Sequence, residues 1–157
     1  MPTLIVIGQL QYPKGSAPTN RIHLYCKSII KEGGNAYVLS TSSPYNEKQV
    51  FPPIGRFENV PYIYLAKDYI RKKNFISRNK IRLKGIISAY LLLYKISKKN
   101  SKCAILYYNT SYYEEIIFKI MSLWFNMPII RDASEAPEHI KNKKRFVNIR
   151  KILYKYF

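Results

Sequence analysis

The stretch that decides the fold runs from position 3 to position 40 and contains three consecutive patterns. It reads TLIVIG at 3–8, RIHLYCKSII at 21–30 and AYVLS at 36–40, with a Pro/Gly/Ser-rich loop before the middle piece. The outer pieces are short apolar runs typical of buried strands. The middle piece repeats apolar side chains at the spacing of one helix face, and Gly33-Gly34 is a helix stop. That face consists of Ile22, Tyr25, Cys26, Ile29 and Ile30. Strand, helix and strand predict a βαβ unit.

The rest of the chain continues the alternation. After a loop at 41–60 we predict a strand at 61–65, a helix at 81–96, a strand at 103–108, a helix at 112–125 and a strand at 128–131. The apolar face of the helix at 112–125 consists of Ile116, Ile117, Ile120, Leu123 and Trp124. The alternation predicts an α/β fold with a Rossmann-like, doubly wound parallel sheet, which binds ligands at the carboxyl ends of its strands. A length of 157 residues fits a single domain.

The two cysteines and the apolar runs exclude several classes of protein. Cys26 and Cys103 have no CxxC or Cys/His spacing, so we expect neither a zinc site nor a disulfide. No apolar run approaches the roughly 18–20 residues of a membrane-spanning helix, and the N-terminus lacks the pattern of a signal peptide. These features predict a cytoplasmic protein without a metal.

The formal net charge of +18 is concentrated in two segments. Residues 67–102 contain 12 Lys and Arg against one acid, and residues 141–157 contain 7 against none. Such segments attract nucleic acid, anionic lipid or a phosphorylated ligand. Abundant Ile, Lys, Tyr and Asn also indicate an AT-rich coding bias, which accounts for a high lysine content but not for its clustering.

Three sequence blocks carry a family resemblance. GSAPTNRI at 15–22, followed by IIKEGGNAYVL at 29–39, resembles the opening of family 4 glycosyltransferases of the GT-B fold. RDASEAP at 131–137 is similar to the Glu-x-Pro turn after the fifth strand of their N-terminal domain. The resemblance spans essentially the whole chain.

The resemblance implies the acceptor-binding half of a hexosyltransferase-type enzyme, which moves a sugar from a nucleotide-sugar to a lipid-linked saccharide during surface polysaccharide synthesis. Its partner would be a C-terminal nucleotide-sugar domain, in cis or in trans. The basic helical pattern at 141–157 ends without a following strand, so we expect the domain to be truncated and this chain alone to be inactive. No metal or cofactor is expected beyond the nucleotide-sugar co-substrate.

The resemblance also assigns a donor-phosphate and acceptor cleft. Gly15 and Ser16 would let backbone N–H groups approach the donor diphosphate, with an ordinary turn as the alternative. Asn20 and Arg21 open the first helix, where the arginine would meet an anionic acceptor or pair with Asp132 or Glu135.

Two further positions complete this predicted cleft. Asn109 and Thr110 follow a strand, at a place where several relatives carry a histidine that contacts the transferred sugar. The Asn109 amide can hydrogen-bond a hydroxyl but cannot act as an imidazole would. The alternative role for these residues is to cap the following helix. Glu135 would bind acceptor hydroxyls or cap a turn. The catalytic residue is unknown, and neither His23 nor His139 receives a site role.

The basic region before position 100 is predicted to face an anionic membrane. We expect the protein to bind peripherally to the inner face of that membrane. Its cations are Lys72, Lys73, Arg78, Lys80, Arg82 and Lys84, and the interspersed apolar residues are Phe75, Ile76, Ile81, Leu83, Ile86 and Ile87. Two other classes stay open. One is a basic nucleic-acid-binding module, which lacks a recognised motif here, and the other is a non-catalytic remnant or adaptor that docks on a membrane or a separate donor domain.

Overall fold

The computed structural model describes residues 1–14, 17–43, 51–67, 74–99, 102–108 and 112–131. The first half of the described chain contains β1 (Thr3–Gly8), α1 (Ala17–Lys31), β2 (Asn35–Ser40), β3 (Ile54–Phe57) and β4 (Val60–Tyr64). The second half contains α2 (Phe75–Ser97), β5 (Cys103–Tyr108), α3 (Tyr112–Phe125) and β6 (Ile129–Arg131). The predicted βαβ unit is confirmed as β1, α1 and β2.

The six strands form one sheet in the order β3-β4-β2-β1-β5-β6. Every neighbouring pair is parallel except β3 and β4, which are antiparallel. The chain moves from β1 outward to β2 and β4 on one side and then crosses to β5 and β6 on the other. This mixed α/β architecture is Rossmann-like, as the alternation of strands and helices predicted.

Successive residues of β1 point to opposite faces of the sheet, and each face has its own core. Val6 packs with α1 on one face, which we call the α1 face; Ile5 and Ile7 pack with α2 and α3 on the other, which we call the α2–α3 face. The α1-face core includes Tyr12, Ile22, Cys26, Val38, Tyr62, Tyr64 and Leu106. The α2–α3-face core includes Leu39, Ala89, Leu93, Cys103, Ile105, Phe118 and Met121. Both cysteines are therefore buried, and both are free thiols.

Helix α1 ends where the glycine pair predicted. Gly33 has a φ of 80°, and the N–H groups of Gly33 and Gly34 donate to the carbonyls of Ile30 and Ile29. These bonds satisfy the last carbonyl groups of the helix. Tyr25, assigned to the buried face, is 42% exposed instead.

The predicted loop at 41–60 contains a strand that the sequence pattern missed. Strand β3 pairs with β4 through a tight turn at Glu58 and Asn59, whose φ angles are 42° and 70°. Positive φ at both central residues is typical of the type I′ hairpin turn. Ile54 and Arg56 on β3 are exposed, so this edge strand lacks the apolar run of a buried one.

The apolar face predicted for α3 is not the face that packs on the sheet. Phe118, Met121 and Glu114 are buried, whereas Ile116, Ile120, Leu123 and Trp124 are exposed and Ile117 is half-buried. Helix α3 carries apolar residues around almost its whole circumference, so periodicity alone does not select the inner face. Helix α2 also differs from the prediction, because it begins at Phe75, six residues earlier than the predicted helix.

Candidate functional site

The carboxyl ends of the central strands meet at one level of the sheet. Gly8 at the end of β1 is in register with Ser40 of β2 and with Tyr108 of β5. The chain leaves β1 toward β2 and later returns to β5 on the other side, so the strand order reverses between β1 and β5. In open α/β sheets, ligands bind in the crevice outside the carboxyl ends at such a reversal. We therefore examine the side chains at this edge first.

Gly8 permits the close approach of β1 and β5 at the reversal point. A Cβ atom at this position would lie 1.8 Å from the backbone oxygen of Tyr108. That separation is far below van der Waals contact, so the backbone here has no room for any side chain. The glycine predicted to end the first strand thus allows β1 and β5 to pack closely at this edge.

A polar cluster, made of Gln9, Thr41 and Glu114, lies at this edge, and we call it the carboxyl-edge cluster. Gln9 Nε2 donates to Glu114 Oε2 at 2.6 Å, and Thr41 Oγ1 donates to Glu114 Oε1 at 3.3 Å. Glu114 is only 2% exposed and Thr41 is fully buried. Glu114 lies in the first turn of α3, where the helix dipole stabilises a carboxylate. Residues that follow β1, β2 and β5 are thereby joined.

The loops beneath the cluster are held to one another by hydrogen bonds. Ser40 Oγ donates to the backbone oxygens of Leu10 and Ser42, at 2.8 and 3.0 Å. The backbone N–H of Thr41 donates to the oxygen of Gly8 at 2.9 Å. These contacts connect the segments after β1 and β2 and so keep the donors of the cluster in place.

Chemically, the carboxyl-edge cluster is a positioned set of hydrogen-bonding groups. Each oxygen of the buried Glu114 carboxylate accepts from a neutral donor, so this carboxylate orients the Gln9 amide and the Thr41 hydroxyl. Gln9 is half-buried, so its amide is the group of the cluster that a polar ligand can reach, whereas the buried Thr41 and Glu114 support it. Within the described ranges, no group of three or more His, Cys, Asp or Glu residues could hold a metal ion.

Two of the predicted cleft residues lie near the same edge. Asn20 is exposed and Arg21 is half-buried in the N-terminal part of α1, directly after the loop that follows β1. Thr19 Oγ1 donates to the Gln11 oxygen at 3.3 Å, which ties this end of α1 to the loop.

The other predicted cleft residues, Gly15, Ser16, Asn109, Thr110 and Glu135, lie outside the described residues, as does Asp132. Sequence reasoning did not select any member of the carboxyl-edge cluster. One signal was available, because Gln9 and Thr41 each come immediately after a predicted strand and Glu114 opens the helix that follows another.

The α1 face holds a second polar group, which connects α1 to the β3–β4 turn. Tyr12 Oη lies 2.6 Å from His23 Nδ1, His23 Nε2 lies 3.3 Å from Glu58 Oε2, and Lys27 Nζ donates to that same oxygen at 2.7 Å. Burial raises the pKa of Tyr12 well above its ordinary value, so the phenol keeps its proton. The Glu58 carboxylate can only accept, so His23 Nε2 carries a proton toward it, and in a neutral imidazole Nδ1 is then the acceptor for the Tyr12 hydroxyl.

Other groups on this face are also held in their neutral forms. Burial raises the pKa of Tyr64, whose hydroxyl donates to the backbone oxygen of Tyr12. Burial raises the pKa of the Cys26 thiol to about 12. These groups are buried in the α1-face core away from the crevice, and they brace the structure.

An open cavity of about 620 Å³ lies at the opposite, amino edge of the sheet. Its lining includes Pro2, Lys102, Cys103, Asn126 and Pro128. These residues precede or begin the strands β1, β5 and β6. Ligands of this fold class bind at the other edge, so the cavity is not our candidate site.

The predicted membrane-facing residues lie mainly on α2. Lys80 and Lys84 are exposed and Arg78 and Arg82 are half-buried, while Lys72 and Lys73 lie outside the described residues. Phe75, Ile76, Leu83 and Ile87 are exposed, as an interfacial helix requires. Ile81 is wrongly placed by the prediction, because it is buried in the helix face that packs inward, and Ile86 is half-buried. Across the described ranges, no helix is long and apolar enough to cross a membrane.

The fold and the edge that carries the site define the class of this protein as a Rossmann-like α/β domain. In comparisons with known proteins, no family model, curated protein or solved structure matches the chain.

Proposed function

We propose that this chain is the acceptor-side domain of a GT-B, family 4-like glycosyltransferase. In this proposal a sugar moves from a nucleotide-sugar to a lipid-linked saccharide at the inner face of a membrane, in surface polysaccharide synthesis. The observation that supports it best is the carboxyl-edge cluster at the reversal of strand order, next to the N-terminal part of α1. Residues 17–22 of one block that resembles the family form that part of α1, and the block at 29–39 includes the end of α1 and most of β2.

The residues of the edge have distinct roles in the proposal. Gly8 keeps the floor of the crevice free of side chains, and Glu114 holds Gln9 and Thr41 in fixed orientations. Asn20 and Arg21 supply an amide and a positive charge beside the crevice, where they would meet sugar hydroxyls and phosphate oxygens. The donor nucleotide-sugar would be held by a second domain, on the same polypeptide or on a partner chain, and no metal is required.

The proposal predicts where an acceptor binds. We would titrate the ¹⁵N-labelled chain with a water-soluble, short-chain prenyl-diphosphate-linked N-acetylglucosamine and follow backbone amide shifts. We expect the largest shifts at Gln9, Thr41, Asn20 and Arg21. The same prenyl diphosphate without its sugar is the control for binding through charge alone. Shifts confined to the amino-edge cavity, at Lys102 and Asn126, would contradict the proposal.

A second experiment addresses the reaction itself. The chain alone is expected to give no sugar transfer from a panel of nucleotide-sugars, because the proposed donor contacts belong to another domain. A lysate of the source cell, with this chain captured together with its partners, is expected to transfer sugar to the same acceptor. A Gln9→Ala variant should weaken transfer in that complex, and the exposed Lys102→Ala variant at the amino edge should not.

A further inference from the structure

The outer side of α3 exposes more apolar surface than a solvated helix normally does. Leu123 is 73% exposed and Trp124 is 70% exposed, and Tyr113, Ile116 and Ile120 are also exposed on the same side. The opposite side of the helix is already buried against the sheet through Phe118 and Met121. Contiguous exposed apolar patches on a soluble domain mark interaction surfaces.

Helix α2 extends this patch. Leu83, Ile87 and Leu91 repeat at four-residue spacing and are all exposed, and they lie on one side of the helix. The two helices contact each other through aromatic rings: Tyr90 meets Trp124 edge-on with ring centroids 6.5 Å apart, and Tyr94 meets Phe125 at 6.2 Å. The apolar sides of α2 and α3 therefore form one surface, which we call the α2–α3 outer surface.

Positive charge accompanies the apolar stripe of α2. Residues 75–99 contain seven Lys and Arg and no acid. Lys80 and Lys84 are exposed and each lies three positions before a residue of the stripe, Leu83 and Ile87 respectively, so they adjoin it. At the far end of the helix, Lys98 Nζ lies 5.4 Å from the centroid of the Tyr94 ring. An apolar stripe bordered by lysines is the pattern of a helix that lies in a membrane interface.

We propose that the α2–α3 outer surface binds the interface of an anionic lipid membrane. Trp124, Leu123 and Leu91 enter the boundary between headgroups and acyl chains, and Lys80 and Lys84 contact lipid phosphates. This inference rests on the membrane association in the proposed function and is independent of sugar transfer. The membrane covers one face of the sheet, so the carboxyl edge, with its cluster, stays open to an acceptor that extends from the same membrane.

Charge complementarity selects this occupant. A second copy of the chain would bring two rows of α2 lysines together, which like-charge repulsion opposes. Nucleic acid would match the lysines but not the aliphatic side chains between them, since such binding surfaces stack bases on aromatic rings. Anionic lipid satisfies both parts of the surface, because it offers phosphates and an apolar interior.

The single tryptophan of the chain, Trp124, reports directly on this surface. We would add phosphatidylcholine vesicles with and without phosphatidylglycerol and record tryptophan emission. Emission should move to shorter wavelength and lose its quenching by iodide only with phosphatidylglycerol present. Vesicle binding without protection of Trp124 from iodide would overturn the surface assignment while leaving membrane association intact.

Matched variants test the two components of the surface. Lys80→Gln with Lys84→Gln should weaken partition to the phosphatidylglycerol vesicles about twentyfold to thirtyfold, from about 1 kcal/mol for each lysine. Leu91→Gln should weaken it about tenfold, since less apolar area is buried. The controls are Leu24→Gln and Lys31→Gln, at exposed positions of α1 on the opposite face, and they should leave partition unchanged.

The other two possible partners of the α2–α3 outer surface, a second copy of the chain and a nucleic acid, would each give a different result in these measurements. A blue shift that rises with protein concentration in the absence of vesicles would assign the surface to a second copy and overturn the proposal. Tighter binding to a single-stranded oligonucleotide than to vesicles, unaffected by Leu91→Gln, would also overturn it. Circular dichroism of each variant checks that α2 is intact, and the Trp124 measurement on the unmodified chain keeps the test valid if a variant fails to fold. Loss of sugar transfer with vesicle binding intact would count against the proposed function alone.

Discussion

The α1 face and the α2–α3 face of the same sheet differ in how their helices divide apolar and polar residues. On the α1 face, Ile22 and Cys26 are buried, and the outward part of the helix carries the charged residues that bond to the β3–β4 turn. On the α2–α3 face, α3 is apolar on both its inner and its outer sides. Helix α1 exposes Leu24 and Tyr25 among its charged residues, whereas α2 and α3 expose a longer row of apolar side chains on the side away from the sheet.

The difference teaches that the apolar content of a helix does not measure its contribution to stability. Phe118 and Trp124 are both large aromatic residues of α3, yet only Phe118 has lost its contact with water. Burial of apolar area stabilises a fold, whereas exposed apolar area is available to a partner. Substitutions on the buried and exposed sides of these helices should therefore differ in their effect on stability.

The largest effect should come from the inner side of α3. Phe118→Ala should lower the free energy of unfolding by about 3–5 kcal/mol, because it leaves a cavity in the core. The matched Trp124→Ala variant on the outer side should change it by less than about 0.5 kcal/mol. Urea unfolding followed by circular dichroism measures both. Equal losses would mean that the outer side is buried within the folded chain, and the comparison between the two sides would fail.

The next effect concerns the carboxyl-edge cluster. Glu114→Gln replaces one acceptor oxygen by an amide nitrogen, so either the Gln9 amide nitrogen faces another donor or the buried Thr41 hydroxyl must reverse its hydrogen bond. We expect a loss of about 1–3 kcal/mol in the free energy of unfolding. Glu115→Gln is the control, since Glu115 is half-buried on the same turn and its partner, the Tyr107 hydroxyl, can still donate to an amide oxygen. A larger loss in the Glu115 variant would show that the cluster does not have the structural role assigned to it.

A smaller effect is expected on the α1 face. Tyr12→Phe removes the hydroxyl that lies 2.6 Å from His23 Nδ1, so that nitrogen is left without this donor. The expected loss is about 0.5–1.5 kcal/mol, against no measurable loss for Tyr25→Phe at an exposed position of α1, the helix that carries His23. Thermal unfolding at neutral pH compares the two. If Tyr12→Phe is as stable as Tyr25→Phe, the Tyr12–His23 hydrogen bond does not contribute to stability.

The smallest effect should appear in the pH dependence of stability. Hydrogen bonds from Lys27 and His23 lower the pKa of Glu58 below its ordinary value. A carboxyl group whose pKa is lower in the folded state stabilises the fold above its unfolded pKa, and this contribution disappears as the pH falls through the folded value. Glu58→Gln should therefore flatten the loss of stability across the acidic range.

Glu58 is exposed, so salt should reduce this effect. Unfolding curves measured from neutral to acidic pH, at low and high salt, compare Glu58→Gln with the exposed Glu32→Gln. If both variants follow the pH profile of the original chain, the link between α1 and the β3–β4 turn contributes nothing to stability.

The spacing of apolar residues predicted the strands and the helix that bury one apolar run or one apolar face. The strands at β1, β2 and β5 and the helix α1 agree with the sequence within one to a few residues, because each carries a run or a face that only a core can satisfy. The sequence pattern did not predict strand β3, because its residues are exposed or half-buried at the sheet edge and include Gly55 and Arg56. Its pairing comes from the turn at Glu58 and Asn59, which returns the chain onto β4.

Most of the candidate site could not be predicted from the sequence. The alternation of strands and helices predicted that ligands bind at the carboxyl ends of the strands. The sequence also shows polar residues directly after the predicted strands. The pairing of Gln9 with Glu114 joins positions 105 residues apart, and no local spacing encodes such a contact. Which oxygen each donor meets depends on how β1 and β5 lie side by side.

Residue type and short-range order were enough to predict the class of fold and the concentration of positive charge before position 100. The packing of the folded chain set which side of α3 faces the core, how α2 and α3 meet, and the joining of two loops by Glu114. A helix such as α3, with apolar residues around almost its whole circumference, can pack through more than one side. The sheet chooses among them, because it presents one inner face to the helix and the opposite side remains outside.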